Sequence, residues 1–378
     1  MRVCVVYDCL YPYTIGGAER WCRDLAERLA AAGHHVTYVT LRQWPRTERP
    51  ALAGIEVVAV GPRMELYAGG RRRIAPPVVF GLGVLRFLLR RGRRYDVVHS
   101  VSFPFFSLLA AGLARRVHRF RLFVDWFEVW TRAYWREYLG PLGGIGWRVQ
   151  RRCVRLRQHA FCFSRLHAQR LREEGLRGKA EILGGIFAGA GKAANPAPAE
   201  PLVVFAGRQI PEKQVLALPA ALARAREDLP ELRAQIFGDG PDRPKLLESI
   251  RRLGLEEAVE APGFVGEEIV QGALRHALCL VLPSRREGYG LVVVEAASVG
   301  TPSIVAAGAD NAATELISEG ENGFVAPSAA PDELAAAILR VHEAGPALRE
   351  STASWFDRNA ERLSVDASLD AVLRAYGR

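Results

Sequence analysis

Lysine is nearly absent from this 378-residue chain: only Lys179, Lys192, Lys213 and Lys245 stand beside 47 arginines. That bias reads as base composition first and chemistry second. The six cysteines, at 4, 9, 22, 153, 162 and 279, form no Cys-x-x-Cys pair and no His/Cys ligand spacing. This excludes a zinc ribbon and a disulfide scaffold and fits reduced thiols in the cytosol. There is no Asp-x-Asp pair, so a metal-held diphosphate has no obvious ligands. Long apolar runs are also missing. The greasiest stretches, 78–89 and 101–114, fall short of the ~20 residues that a spanning helix needs, and Arg86 interrupts the first. Met1 leads straight into an apolar strand with no secretory leader pattern, and no short-period repeat or low-complexity tract occurs.

Hydrophobic residues make up 49% and charged residues 24%, a globular balance that excludes a disordered chain. The length suits two domains of about 190 residues better than one. Charge is divided between them. Residues 1–190 carry 32 Lys and Arg against 14 Asp and Glu, a net of +18, whereas residues 191–378 carry 19 against 27, a net of −8. The densest basic runs are at 71–73, 90–94, 115–121 and 148–157. Charge alone leaves nucleic acid, anionic lipid headgroups and phosphorylated small molecules open. No helix-turn-helix, zinc or stacking-platform pattern supports nucleic acid.

Residues 2–7 read as a strand, followed by a loop, Gly16-Gly17, and a helix from Ala18 with Trp21, Leu25 and Leu29 on one stripe and Gly33 as its stop. Strands are expected at 36–40, 55–60, 97–100, 122–125 and 160–164, alternating with helices. After an Ala/Gly/Pro-rich linker at 189–200, a second series begins at 202–206 and continues at 235–237, 259–261, 279–282, 303–305 and 323–325. Both halves are therefore α/β, doubly wound, with helices on both sheet faces. Ligands in such sheets sit at the carboxyl ends of strands, here in a cleft expected between the two domains.

Residues 283–305 are the most informative segment. Glu287 and Glu295 stand eight apart, and Gly288-Tyr289-Gly290 separates a strand end from a helix starting near Leu291. Glycines there let backbone amides approach a ligand. Glu295, about one turn into the helix, could accept bonds from vicinal hydroxyls, and Glu287 from a second polyol; the alternative is a loop carboxylate and a solvated helix residue. Beside them, Phe205-Ala-Gly-Arg-Gln-Ile-Pro-Glu-Lys213 ends a strand at Gly207 and follows it with Arg208 and Lys213. Two cations converging on a diphosphate could neutralise charge on a departing nucleotide, as a metal ion does elsewhere.

Taken with Gly16-Gly17-Ala18-Glu19, Asp96-Val-Val-His99, Gly238-Asp-Gly240, Phe264-Val-Gly-Glu267, Gly300-Thr-Pro302 and Asn322-Gly-Phe324, these segments make the chain resemble a retaining glycosyltransferase of family 4, nearly end to end. The resemblance implies the GT-B fold: a Rossmann-like acceptor-side domain at 1–188, a nucleotide-sugar domain at 201–354, and a C-terminal helix at 355–378 crossing back to the first. It implies that Arg208 and Lys213 bind the donor diphosphate and Glu295 the ribose. Glu287 would hold the transferred sugar with amides of Tyr289, Gly290 and Leu291, and the Gly17 amide would meet the distal phosphate. No metal or other cofactor is implied. Reaction would be front-face transfer from a nucleotide diphosphate sugar, UDP-sugar favoured, to an acceptor hydroxyl.

Two departures from the family pattern stand out. The strand that commonly ends in a histidine near the sugar reads Phe123-Val124-Asp125-Trp126, which makes Asp125 the candidate for that position or a helix N-cap. The Asn-Gly-Val-Asp turn at the domain junction is replaced by Gly184-Gly185-Ile186-Phe187. His99, at a strand end, is a candidate cleft residue or a structural histidine. The expected partners are the nucleotide-sugar donor and an acceptor that is a small molecule, lipid or glycan, with no nucleic acid. Peripheral contact with a membrane through the basic N-domain is a further candidate, giving a cytoplasmic chain at the inner membrane face. Trp126, Trp130, Trp135 and Trp147 fall within 22 residues and suit either stacking or core packing. Residues 140–146 suit a mobile loop, and 147–158 a membrane-facing helix or a solvated face. A sugar-nucleotide epimerase on the same fold is the alternative activity; a phosphorylase is disfavoured because no lysine lies in a pyridoxal-phosphate context.

Overall fold

The computed structural model describes residues 1–377 apart from 46, 49, 69, 70 and 190. Residue 190 of the expected linker and residue 378 of the expected last helix lie outside the described residues. The chain separates into two compact units, Met1–Ile186 with Ser368–Arg378, and Phe187–Ala367.

The first unit holds a seven-stranded parallel sheet: β1 (Arg2–Val6), β2 (His35–Thr40), β3 (Ile55–Ala59), β4 (Val97–Val101), β5 (Arg121–Trp126), β6 (Arg157–Cys162) and β7 (Arg177–Ile182), in the order β3-β2-β1-β4-β5-β6-β7. β4 is buried at every position, as a central parallel strand covered on both faces must be. The helices are α1 (Gly17–Ala31), α2 (Ala75–Arg91), α3 (Phe105–Ala114), α4 (Arg132–Leu139), α5 (Gly143–Val154) and α6 (Arg165–Glu173). α1 buries the expected stripe of Trp21, Leu25 and Leu29, each worth about 1.5–3 kcal/mol relative to exposure. β7 went unforeseen because Arg-Gly-Lys-Ala-Glu-Ile is a polar edge strand with no apolar run.

The second unit holds six parallel strands, β8 (Leu202–Ala206), β9 (Arg233–Phe237), β10 (Val259–Gly263), β11 (Cys279–Leu282), β12 (Ser303–Ala306) and β13 (Gly323–Ala326), in the order β10-β9-β8-β11-β12-β13. Its helices are α7 (Leu218–Ala225), α8 (Arg243–Arg252), α9 (Glu267–His276), α10 (Leu291–Ala297) and the 33-residue α11 (Pro331–Leu363), broken at Gly345 (φ 60°) ahead of Pro346. The last helix, α12 (Val365–Gly377), joins the first unit from Ser368, not from 355. Ser368 Oγ donates to the Gly185 carbonyl at 2.6 Å and accepts from its amide at 3.2 Å, so the Gly184-Gly185 departure serves as the seat of this helix.

Each sheet reverses its strand order once, between β1 and β4 in the first unit and between β8 and β11 in the second. Those two points are where a doubly wound sheet opens its crevice at the strand carboxyl ends. In the second unit, a glycine lets two loops meet there. Gly238 has φ 117°, and a Cβ on it would come within 1.9 Å of the Gly207 carbonyl oxygen. Among the described residues no helix is long and apolar enough to cross a membrane.

Candidate functional site

At the β8/β11 crevice the chain leaves β8 through Gly207, Arg208 and Gln209 and makes one 3-10 turn, Pro211–Lys213. The Lys213 amide donates to the Ile210 carbonyl at 2.9 Å, and Gln214 follows in the left-handed region (φ 48°), fixing where the lysine leaves the backbone. From the other side, β11 leads through Pro283 and Ser284 into a two-residue parallel pairing of Arg286–Glu287 with Asp310–Asn311. Asn311 staples this loop: its Nδ2 donates to the Ser284 carbonyl at 2.7 Å and the Ala306 carbonyl at 2.8 Å, while its Oδ1 accepts from the Ala313 amide at 3.0 Å. The two loops are tied by the Arg285 amide donating to the Glu212 carbonyl at 3.0 Å.

The result is one charged centre. Lys213 Nζ donates to Glu287 Oε1, which also accepts from Ser284 Oγ at 2.9 Å. The lysine side chain is 18% exposed and the glutamate 9%. An ammonium has three donors and one serves Glu287, so the pair is held in place with protons left for an anion. Arg208, in the same loop as Lys213, is exposed, while Gln209 is fully buried, its Nε2 donating to the Gly238 carbonyl at 2.8 Å. Gln209 was not singled out in the sequence; its signal was an uncharged polar residue three positions past the end of a buried strand. Tyr289 is buried, and burial drives its hydroxyl pKa well up, so it stays neutral at working pH. Gly290 adopts φ 97° as the N-cap of α10, and a Cβ there would meet the Ala313 Cβ at 2.6 Å. Glu295 is half-buried at the fifth position of α10.

The first unit treats its expected site residues differently. Asp125 and His99 are 0% and 1% exposed. Asp125 Oδ2 accepts from Trp21 Nε1 at 2.7 Å and stands 2.9 Å from His99 Nε2, and His99 Nδ1 meets the Tyr376 hydroxyl. The His99 ring stacks on Phe161 with centroids 5.9 Å apart. Burial, with Asp125 close by, drives the Tyr376 pKa well up. This is a buried network that joins α1, three central strands and the last helix, with Asp125 Oδ1 and His99 Nε2 left without a hydrogen bond. Both residues are buried among core side chains, as the structural alternative for His99 expects, and Asp125 caps no helix, since α4 takes Thr131 as its N-cap. Gly17 is the first residue of α1. At the β1/β4 crevice stands a pair that the sequence did not announce, Asp8 with Arg72, with Asp8 Oδ1 buried and unbonded.

Residues 192–360 match the family model described as Glycosyl transferases group 1, and residues 15–183 match Glycosyltransferase Family 4. Sucrose-phosphate synthase from Thermosynechococcus elongatus superposes with a TM-score of 0.82 at 18% identity, covering 100% of this chain and 98% of that one. The chain has the GT-B glycosyltransferase fold. Anabaena HepE, solved in complex with UDP and glucose, superposes at a TM-score of 0.73 and 19% identity, covering 100% and 99%. By sequence, alpha-D-kanosaminyltransferase of Streptomyces kanamyceticus is 33% identical over 177 residues, 47% of this chain and 45% of that relative. The chain thus spans less than half the length of that relative.

Within this GT-B chain Trp126 and Trp135 are core, and Trp130 and Trp147 are half-buried. Trp126 Nε1 donates to Gln158 Oε1 at 2.9 Å, Trp135 Nε1 to Gln150 Oε1 at 3.1 Å and Trp147 Nε1 to Glu174 Oε1 at 3.0 Å. The loop expected at 140–146 is instead a 3-10 turn running into α5. A Cβ at Gly146 would lie 2.2 Å from the Trp135 ring, so that glycine permits close packing. Among the described residues no three His, Cys, Asp or Glu side chains are grouped as metal ligands.

Proposed function

We propose that this chain is a retaining glycosyltransferase that moves a sugar from a nucleoside diphosphate sugar, UDP-sugar favoured, to an acceptor hydroxyl without a metal ion. The observation that carries the reading is the Lys213–Glu287 pair at the β8/β11 crevice, with exposed Arg208 in the loop that carries Lys213. Lys213 and Arg208 take the diphosphate and offset the charge that grows on it as the glycosidic bond breaks. Glu287, fixed by Ser284 and Lys213, accepts from hydroxyls of the sugar. Glu295 accepts from the ribose. The amides of Tyr289, Gly290 and Leu291 assist at the sugar. HepE, which shares the fold, has been solved with UDP-glucose, and the kanosaminyltransferase is named for sugar transfer; both support the donor class.

The deprotonation of the acceptor is assigned to the departing phosphate, because Asp125, the carboxylate the sequence offers near the sugar, is buried in its network. The test is incubation of the full chain with UDP-glucose and a panel of alcohol acceptors in excess EDTA, with the anomeric configuration of the product read by NMR. Transfer with the α-configuration kept supports all three parts of the proposal. An inverted product sinks the retaining mechanism, and activity that EDTA abolishes sinks metal independence. Conversion of the nucleotide sugar without added acceptor points to an epimerase instead.

A further inference from the structure

The first unit has a cavity of about 250 Å³ that the donor reading does not use. Its walls come from the segment after β4 (Phe103, Phe105), from α4 (Trp135, Leu139) and from α5 (Ile145, Val149). The lining is almost wholly apolar, and its only charged members are Arg72 and Arg73. Arg72 lies over the Phe103 ring at 5.1 Å and pairs with Asp8, which follows β1. The cavity therefore opens beside the β1/β4 crevice, the place where a doubly wound sheet receives a ligand.

Three observations together define what fits. An almost wholly apolar lining takes an apolar guest, because burying hydrocarbon against it removes apolar surface from water. The lining runs outward onto Ile74, Phe106, Leu142 and Ile145, all exposed and the last 56% so; a patch continuous with the cavity suits a chain longer than the cavity is deep, not a compact ring with polar edges. Finally, α2, α3 and α5 carry no Asp or Glu, α4 carries one, Glu137, and Arg73 pairs with Glu65 in an exposed contact that an incoming anion can replace.

We propose that this cavity binds the hydrocarbon chain of an amphiphile whose head is a phosphate, with Arg73 meeting the phosphate. That this amphiphile is the sugar acceptor, a lipid-linked one, rests on the glycosyltransferase reading; the binding itself does not.

The experiment is calorimetric titration of the full chain with octyl phosphate below its micelle concentration, with butyl phosphate and inorganic phosphate as comparators. The expected result is roughly fourfold tighter binding for each added methylene until the cavity is filled, which is the burial of a CH₂ expressed as a ratio. Ile145→Glu and, separately, Leu142→Glu weaken octyl phosphate at least tenfold, while both variants keep the wild-type melting transition and the stabilisation by UDP. Octyl phosphate that binds no better than inorganic phosphate overturns the proposal. So does binding that both glutamate variants leave unchanged, or association seen only with micelles or vesicles. If the wild type binds octyl phosphate and ignores UDP, the donor reading fails and the chain site stands.

Discussion

Replacing Lys213 by methionine keeps most of the stem volume and removes the charge. Glu287 then stays in a position where its side chain is 9% exposed, with Ser284 Oγ still donating to it. A buried acceptor that loses a charged donor costs about 1–3 kcal/mol, and the effect belongs to the pair, so neutralising the carboxylate should relieve it. The account expects Lys213→Met to lose about 1–3 kcal/mol in urea unfolding and Lys213→Met/Glu287→Gln to recover at least half of that. The double-mutant cycle then gives a coupling energy above ~0.5 kcal/mol. The same substitution removes a charge-assisted bond to the diphosphate, worth about 1.5–3 kcal/mol, so UDP should bind at least tenfold more weakly by titration calorimetry. The double variant should recover stability without recovering UDP. If Lys213→Met binds UDP like the wild type, the lysine holds no diphosphate. If Glu287→Gln brings no rescue, the two side chains do not act as a pair.

Arg208 is exposed, so Arg208→Ala should leave the melting temperature unchanged while weakening UDP roughly tenfold; a lower melting temperature with intact affinity would make it structural. Gly290→Ala adds a Cβ at φ 97° against Ala313 and should destabilise by at least ~1 kcal/mol, seen as a lower urea midpoint at constant slope. Asp125→Ala strands the Trp21 indole and should cost about 1–3 kcal/mol, whereas Asp125→Asn keeps an acceptor for it and should cost less. An Asp125→Asn variant with full stability and no activity would return this residue to the reaction.

The fold was readable because the strands at 202–206, 279–282 and their neighbours are short apolar runs bounded by glycine and proline, and α1 carries its stripe at helical spacing. The charged centre was readable for a related reason. Arg208, Lys213 and Glu287 lie in the loops that leave two buried strands, so their positions at a carboxyl edge follow from the strands themselves. What stayed hidden depends on contacts distant in sequence. Asp125 looks like a ligand residue until Trp21, 104 positions away, is seen to donate to it, and His99 until Tyr376 closes over it, 277 positions away. The pair of Asp8 with Arg72 is 64 positions apart and joins the end of β1 to a two-residue strand, Arg71–Arg72, with no shared periodicity. The 140–146 segment reads as loop because glycine is a poor helix former, yet Gly146 is there because only hydrogen fits against Trp135.

The central claim is that the second unit grips a nucleoside diphosphate. Its most direct test is the melting temperature of the full chain across UDP, GDP, ADP and TDP without divalent ions. The account predicts stabilisation by at least one, UDP first, reaching about 2.7 kcal/mol at 100 times the dissociation constant, and its loss in Lys213→Met. A flat response to all four nucleotides at millimolar concentration would contradict it.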